Sequence, residues 1–435
     1  MDVTLTSTFP GLQTIAAREA VLLAPCAMRS VDSRGRKYAE SEHPYRGPFQ
    51  RDRDRIVHSS AYRRLSGKMQ VFTGDMGDYH RTRLTHTHEV ASIARTVGRA
   101  LRLNEDLIEA LALFHDIGHP PFGHAGEDAL NECLADCGGF SHNRYALTIA
   151  EELEARYQSF PGLNLTYEVL ESQAARIDKQ AAGVTPLLEA QLVDVADSVT
   201  YDAHDADDSV KLGLVTMDEL AEIPLIREVV GRVYQRFGVL RGELLRKAVV
   251  HELIDCQVTD LLQTVGRVLA QRRFESADEA RRSGYRMAAS PELVEQKAEL
   301  EAFLYQRVYR HPRLTELRRR DQQRLRAMFA GYCRRPALLP PEFRARSEMA
   351  GIARTVGDYL AGMTDRYCVQ QYERHFAGGK GQTPSESRRR ARRIVRFPTT
   401  SRRGAHRRQS RQLCWPLGPG KKILGPPKLS RTRRV

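Results

Sequence analysis

Residues 106–116, DLIEALALFHD, are apolar on most sides of a helix and run straight into HDIGHPPFGHAGE, residues 115–127. A helix that is apolar nearly all round has to be buried. Gly118 stops this one, and Pro120 and Pro121 prevent its continuation. His115 and Asp116 therefore sit at the C-terminal end of a buried helix, with His119, His124 and Glu127 in a tight polar stretch behind them. So many imidazoles and carboxylates in so short a span suit a metal and the groups that work beside it. Such a site needs further nitrogen and oxygen ligands from elsewhere in the chain.

The rest of the chain is patterned for helices. HEVASIARTVGRAL spaces Val90, Ile93, Ala94, Val97 and Leu101 along one helical face. Asn104 then offers an N-cap, with Glu105 and Asp106 in the first turn. A further helix is expected from Thr185 to about Asp202, and helical patterning continues from Leu225 to Phe376. No alternating strand pattern of any length occurs and no internal repeat, so the fold class is all-α, or mainly α. The reading divides the chain into an irregular N-terminal arm (1–45), a helical core (46–215), a C-terminal helical region (216–376) and a basic tail (377–435) expected to be disordered.

The net charge of +14 invites a nucleic-acid reading, but its distribution argues against one for the body of the chain. From Gly378 onward there are 18 Lys and Arg against a single acid, Glu386, which is +17 and leaves about −3 for residues 1–377. The tail reads either as a polyanion tether or as the product of a reading frame that departs near Gly378. Its excess of Arg over Lys without helical order favours the second. The seven cysteines are scattered without a CxxC pair, which implies reduced thiols in a cytoplasm. No apolar run is long enough for a transmembrane helix, and the N-terminus does not read as a secretory signal.

Upstream, RTRLTHTHEV places His86 and His88 at the start of a helix. Downstream, VDVADSVTYDAHDADD carries Asp194, Asp197, Tyr201, His204 and Asp205. Leu192, Val195, Ala196 and Val199 form one stripe of that helix, and Asp197, Tyr201 and Asp205, spaced i, i+4 and i+8, fall nearly opposite. Alone, this stretch reads as a surface helix with solvated acids. The order His, then His-Asp, then Asp, each on a helix around the loop HPPFGHAGE, carries more information.

His86, the His115-Asp116 doublet and Asp197 resemble the H…HD…D signature of the HD-domain metal-dependent phosphohydrolases. The wider text resembles their deoxyguanosinetriphosphate triphosphohydrolase-like branch, through FQRDRDRIVHSSAYRRLSGKMQVF, RTRLTHTHEV, HDIGHPPFGHAGEDALNE, GGFSHN, GLNLTYEVLES and DYLAGMTDRY. These blocks cover roughly residues 25–376. The resemblance implies that His86, His115, Asp116 and Asp197 ligate a divalent ion (Mn, Fe, Co, Ni, Zn or, less comfortably, Mg). It implies hydrolysis of a deoxynucleoside triphosphate (dNTP) to deoxynucleoside and inorganic triphosphate. His124 and Glu127 match the family's catalytic His-acid pair. His119 and His142 match histidines close to the phosphates, and Gln70, Arg83, Tyr201 and Asp205 match positions around the sugar. His88 departs from the family text, which usually has an apolar residue there, and reads as structural.

The resemblance also implies homo-oligomers, with nucleotide or single-stranded DNA effectors in some relatives and no membrane. Two alternatives stay open: a phosphohydrolase for another nucleotide ester, and a catalytically silent regulatory nucleotide- or DNA-binding protein. The plainer alternatives are a helix-end histidine bonding free carbonyls for His119 and a turn residue for His142. His204 reads as polar surface or as a support for a site residue. Arg51, Arg53, Arg55, Arg63, Arg64 and Lys68 are equal candidates for triphosphate contacts.

Overall fold

Helices supply the regular structure of the described residues, 13–70, 81–177 and 185–377 of the computed structural model. Strand-like pairing there is limited to three isolated bridges: Arg36 with Thr166, Met69 with Thr82, and Ala155 with Gly162. The expected disordered tail lies outside the described residues.

Six helices frame the site: α1 (Pro48–Val57), α2 (Arg83–Ala100), α3 (Glu105–Phe114), α4 (Gly123–Cys133), α5 (His142–Thr148) and α6 (Leu188–Lys211). Thr82 and Thr85 cap α2 reciprocally, each side chain accepting from the other's backbone N–H. Asn104 caps α3 as its sequence position suggests, accepting from the N–H groups of Asp106 and Leu107 at 3.1 and 3.2 Å. The N-terminal arm is less irregular than its sequence suggests. Residues Ile15–Leu22 form a helix capped by Thr14, since IAAREAVL is built mainly of good helix formers. Glu19 ties this helix down by accepting from the Ser30 N–H at 2.7 Å.

The helix expected to end near Asp202 continues to Lys211. It does so because it serves two apolar cores. Leu188, Leu192 and Ala196 belong to the first, which collects residues from Cys26 to Cys368 and so draws on segments either side of residue 215. Ala203 and Ala206 belong to the second, with Val229 from α7 (Pro224–Phe237), Leu253 from α8 (Gly242–Arg272) and Leu300 from α9 (Pro291–Phe303). Asp202, His204 and Asp205, on a stretch that alone reads as a surface helix, are thereby buried.

Two glycines allow the close approaches on which the site depends. A Cβ on Gly118 would lie 2.0 Å from the His142 carbonyl oxygen and 2.6 Å from the Ala146 nitrogen, so α5 rests directly on the loop after α3. A Cβ on Gly126 would lie 1.9 Å from the Pro121 carbonyl oxygen and 3.3 Å from Leu325 Cδ1. There α4 meets α10 (Pro312–Arg334).

Candidate metal centre

α2, the end of α3 and the middle of α6 bring His86, His115, Asp116 and Asp197 together. Ligand atoms of His86, His115 and Asp116 lie within 4.8 Å of one another. Asp197 Oδ1 lies 3.0 Å from His86 Nε2 and 3.8 Å from His115 Nε2.

Hydrogen-bond partners assign the tautomers. His115 Nδ1 donates to the Ala112 carbonyl oxygen at 2.6 Å, which leaves Nε2 as a lone pair. That nitrogen is buried without a hydrogen-bond partner. Burial also holds the His115 pKa below its usual value, against the attraction of Asp197 and Asp116. His86 is set through a chain. Burial lowers the His204 pKa to about 4 in spite of the Glu89 carboxylate on its Nε2, so His204 is neutral near pH 7. Its Nε2–H goes to Glu89, and its Nδ1 accepts from His86 Nδ1 at 3.3 Å. In the tautomer that this sets, His86 Nε2 presents a lone pair 3.0 Å from Asp197 Oδ1, an arrangement that a cation between them would satisfy.

Each carboxylate spends one oxygen on an arginine. Asp116 Oδ2 accepts from Arg83 at 2.9 Å, and Asp197 Oδ2 accepts from Arg176 at 2.8 Å. The other oxygen of each is left toward the imidazoles. Burial opposes ionisation of both acids. Arg83 nevertheless holds Asp116 well below the usual carboxylate range, and Arg176 favours the ionised form of Asp197. Two neutral imidazoles and two ionised carboxylates fit a divalent ion by charge and by ligand type.

Beside this cluster, Glu127 on α4 organises two histidines. Its Oε2 lies 3.2 Å from His124 Nδ1, and its two oxygens lie 2.8 and 2.9 Å from His142 Nδ1. It also accepts from the His142 backbone N–H at 2.9 Å. Burial alone would raise the Glu127 pKa, but His124 and His142 hold it far below the usual range. His142 stacks on His119 with ring centroids 3.8 Å apart. His119 Nδ1 is 2.8 Å from Asp116 Oδ1 but out of line for a hydrogen bond. Burial first, and then Arg83, push the His119 pKa well below its usual value. Its helix-end reading does not hold, because the ring makes no bond to a free carbonyl.

A cavity of about 600 Å³ opens onto these groups. The site residues singled out from sequence line it, except Glu127, which stands behind His124 and His142, and Asp205. Asp205 is fully buried on α6, and burial holds its pKa well above the carboxylate range. Arg83, expected near a sugar, puts its guanidinium on Asp116. His88 bonds the Tyr62 hydroxyl at 3.1 Å, away from the cluster.

None of the six basic residues proposed for triphosphate contacts lines the cavity. Arg53 pairs with Asp54 and Glu109, Arg55 and Arg51 pair with Glu40, and Arg63 bonds the His58 carbonyl. Lys68 is buried, donating to the carbonyls of His119 and Ala361, and burial lowers its pKa to about 7. The arginines that do line the cavity are Arg83, Arg176 and Arg318. Sequence reasoning missed Arg176, Arg318, Tyr305 and Tyr309. Arg176 lies four residues beyond the GLNLTYEVLES block, which marks its neighbourhood, whereas the other three sit in segments with no local motif.

Residues 83–202 match the HD domain family, and residues 287–374 match the phosphohydrolase-associated domain. The chain is 41% identical over 365 residues to a deoxyguanosinetriphosphate triphosphohydrolase-like protein of Geobacter metallireducens, an alignment covering 81% of this chain and 95% of that protein. A protein of the same description from Thiobacillus denitrificans is 41% identical over 370 residues, covering 81% and 97%. One from Ralstonia pickettii is 40% identical over 367 residues, covering 82% and 95%.

Proposed function

The chain belongs to the deoxyguanosinetriphosphate triphosphohydrolase-like family of HD-domain phosphohydrolases, and from that premise we propose that it hydrolyses deoxynucleoside triphosphates to deoxynucleoside and inorganic triphosphate with a divalent ion. The observation that carries the reading is the 3.0 Å approach of His86 Nε2 and Asp197 Oδ1 beside the unpartnered His115 Nε2. His86, His115, Asp116 and Asp197 would hold the ion. When bound, a divalent ion polarises an α-phosphate oxygen and acidifies a water.

The chain's own groups then have distinct tasks. Water adds at the α-phosphorus, and the bond to the 5′-oxygen breaks as that oxygen gains a proton. His124 presents the group suited to move a proton. Its Nδ1 is held by Glu127, so exchange takes place at Nε2, and the side chain is 70% exposed. The carboxylate beside it fixes the orientation of the ring. His119 and His142, stacked on one another, offer ring edges to phosphate oxygens. Gln70 Oε1 is buried at the cavity wall without a partner and can accept from a sugar hydroxyl. Tyr201, also on the wall, restricts room beside the sugar, which supports a preference for deoxyribose.

The test is to incubate purified protein with each dNTP and Mn²⁺ or Mg²⁺ and to identify the phosphate released. Intact triphosphate with free deoxynucleoside is expected. Orthophosphate or pyrophosphate would assign the site to another phosphate ester, and binding without metal-stimulated turnover would make the chain a regulator. Equal hydrolysis of GTP and dGTP would remove the sugar argument.

A further inference from the structure

Three guanidinium groups line the cavity, and two of them are already committed. Arg83 neutralises Asp116, and Arg176 bridges Asp194 and Asp197. Arg318 differs. Among the described residues no carboxylate lies within ion-pair distance of it, although Asp128 lines the same cavity. Its side chain is nevertheless held in place. Nη1 donates to the Tyr309 carbonyl oxygen at 3.1 Å, and the guanidinium lies 5.5 Å from the centre of the Tyr309 ring. The remaining guanidinium donors are free to bind something in the cavity.

Its position is set by packing. Arg318 lies on α10, and the bare Gly126 lets α10 approach α4, the helix that carries His124. On the other side, Tyr201 stacks on Tyr309 at 6.3 Å and stands one helical turn beyond Asp197. Arg318 thus lines the same cavity as the metal cluster, within electrostatic reach of the Tyr201 phenol. Burial lowers its pKa, and Asp128 acts on it only from beyond ion-pair distance.

Charge bookkeeping shows what is missing there. A nucleoside triphosphate carries about four negative charges near neutral pH. The two ligand carboxylates offset the charge of a divalent ion, and the arginines on those carboxylates are partly spent on them. The outer phosphates need a cation that is not already neutralised. We propose that Arg318 anchors the β- and γ-phosphates of the substrate, so that the site measures the length of the phosphate chain. The proposal rests on the dNTP reading above for the identity of that substrate.

The probes are inorganic tripolyphosphate and dGMP, titrated calorimetrically as their magnesium complexes, with KM for the four dNTPs measured in parallel. Arg318→Gln should weaken tripolyphosphate about ten- to a hundredfold, the range of a charge-assisted contact. It should raise KM for all four dNTPs by a similar factor and leave dGMP unchanged. Arg318→Lys should fall between, since a point charge replaces the planar fork. Circular dichroism and bound Mn²⁺ control for folding; if the Gln variant does not fold, the Lys variant carries the same comparison. Equal weakening of dGMP, unchanged tripolyphosphate, or a loss confined to one base would overturn the proposal, the last pointing to base recognition instead. If the parent protein releases no deoxynucleoside while tripolyphosphate binding still drops in Arg318→Gln, the dNTP reading fails and the anchor stands. If the parent turns over dNTPs and the variant binds tripolyphosphate as well as the parent, the anchor fails alone.

Discussion

His86 and His204 face each other Nδ1 to Nδ1 at 3.3 Å, and the far nitrogen of His204 rests on Glu89. Glu89 orients His204, and His204 decides which nitrogen of His86 is left without a proton. His204→Phe keeps a buried ring and removes this control. Mn²⁺ affinity should fall about ten- to a hundredfold, as is usual when the partner of a ligating imidazole is lost. Calorimetric titration with Mn²⁺ measures it, and an affinity within twofold of the parent would refute the role. Glu89→Gln should cost less, because the amide oxygen still accepts from His204.

Asp197 is the acid whose free oxygen approaches both imidazoles while its second oxygen holds Arg176. Asp197→Ala should lose bound metal and dNTP turnover together. Arg176 keeps Asp194 at 3.1 Å as a partner, which limits the structural damage. Metal analysis of the purified variant decides the matter. Full metal content with no turnover would give Asp197 a role other than ligation.

Gly118 carries α5 on its bare Cα. In Gly118→Ala the new methyl would meet backbone atoms, the His142 carbonyl and the Ala146 nitrogen, and neither can swing away as a side-chain tip could. The loss of stability should be on the order of 3 kcal/mol, at the upper end of overpacking costs. It should be accompanied by reduced turnover, because α5 carries His142. A thermal melt close to that of the parent would mean that the loop yields without cost.

Much of this was legible in the sequence, for identifiable reasons. The capped helix from Asn104 and the apolar run ending at His115 follow from local periodicity and end signals, which act within a turn or two. The four residues proposed as ligands lie on helices or just past a helix end, and the order of these elements in the chain is distinctive. Two kinds of information were not legible. The extension of α6 past Asp202 depends on a second core contributed largely by residues from Val215 onward, so the stretch that holds Asp202, His204 and Asp205 reads alone as a surface helix although these residues are buried. The arginines of the cavity also escaped. An arginine's partner is chosen by tertiary contact, and the RDRDR run, so prominent in the sequence, is consumed by Glu40, Asp54 and Glu109. Arg318 has no such prominence and reaches the cavity because α10 crosses α4 at Gly126.

The buried Asp202 makes the last prediction one of pH. Lys297 Nζ lies 2.6 Å from its Oδ2, out of line for a hydrogen bond, and also donates to Gln257 at 2.8 Å and Ser198 at 3.1 Å. Burial outweighs the attraction of Lys297 and raises the Asp202 pKa from 3.8 to about 6. The unfolded chain therefore releases this proton first as pH rises, and between about pH 4 and 6 the folded state binds more protons. Stability from this group is fully present below pH 4 and is lost on passing through pH 6, by about 3 kcal/mol in all. Asp202→Asn has no proton to release. Urea unfolding at pH 4, 5, 6 and 7 should show the parent's stability falling relative to the variant between pH 4 and 6 and then running parallel to it. Taking the difference between the two proteins cancels the titration of groups that do not interact with Asp202. A difference that stays constant from pH 4 to 7 would mean that Lys297 matches the burial penalty and that Asp202 ionises in the folded chain as readily as in the unfolded one.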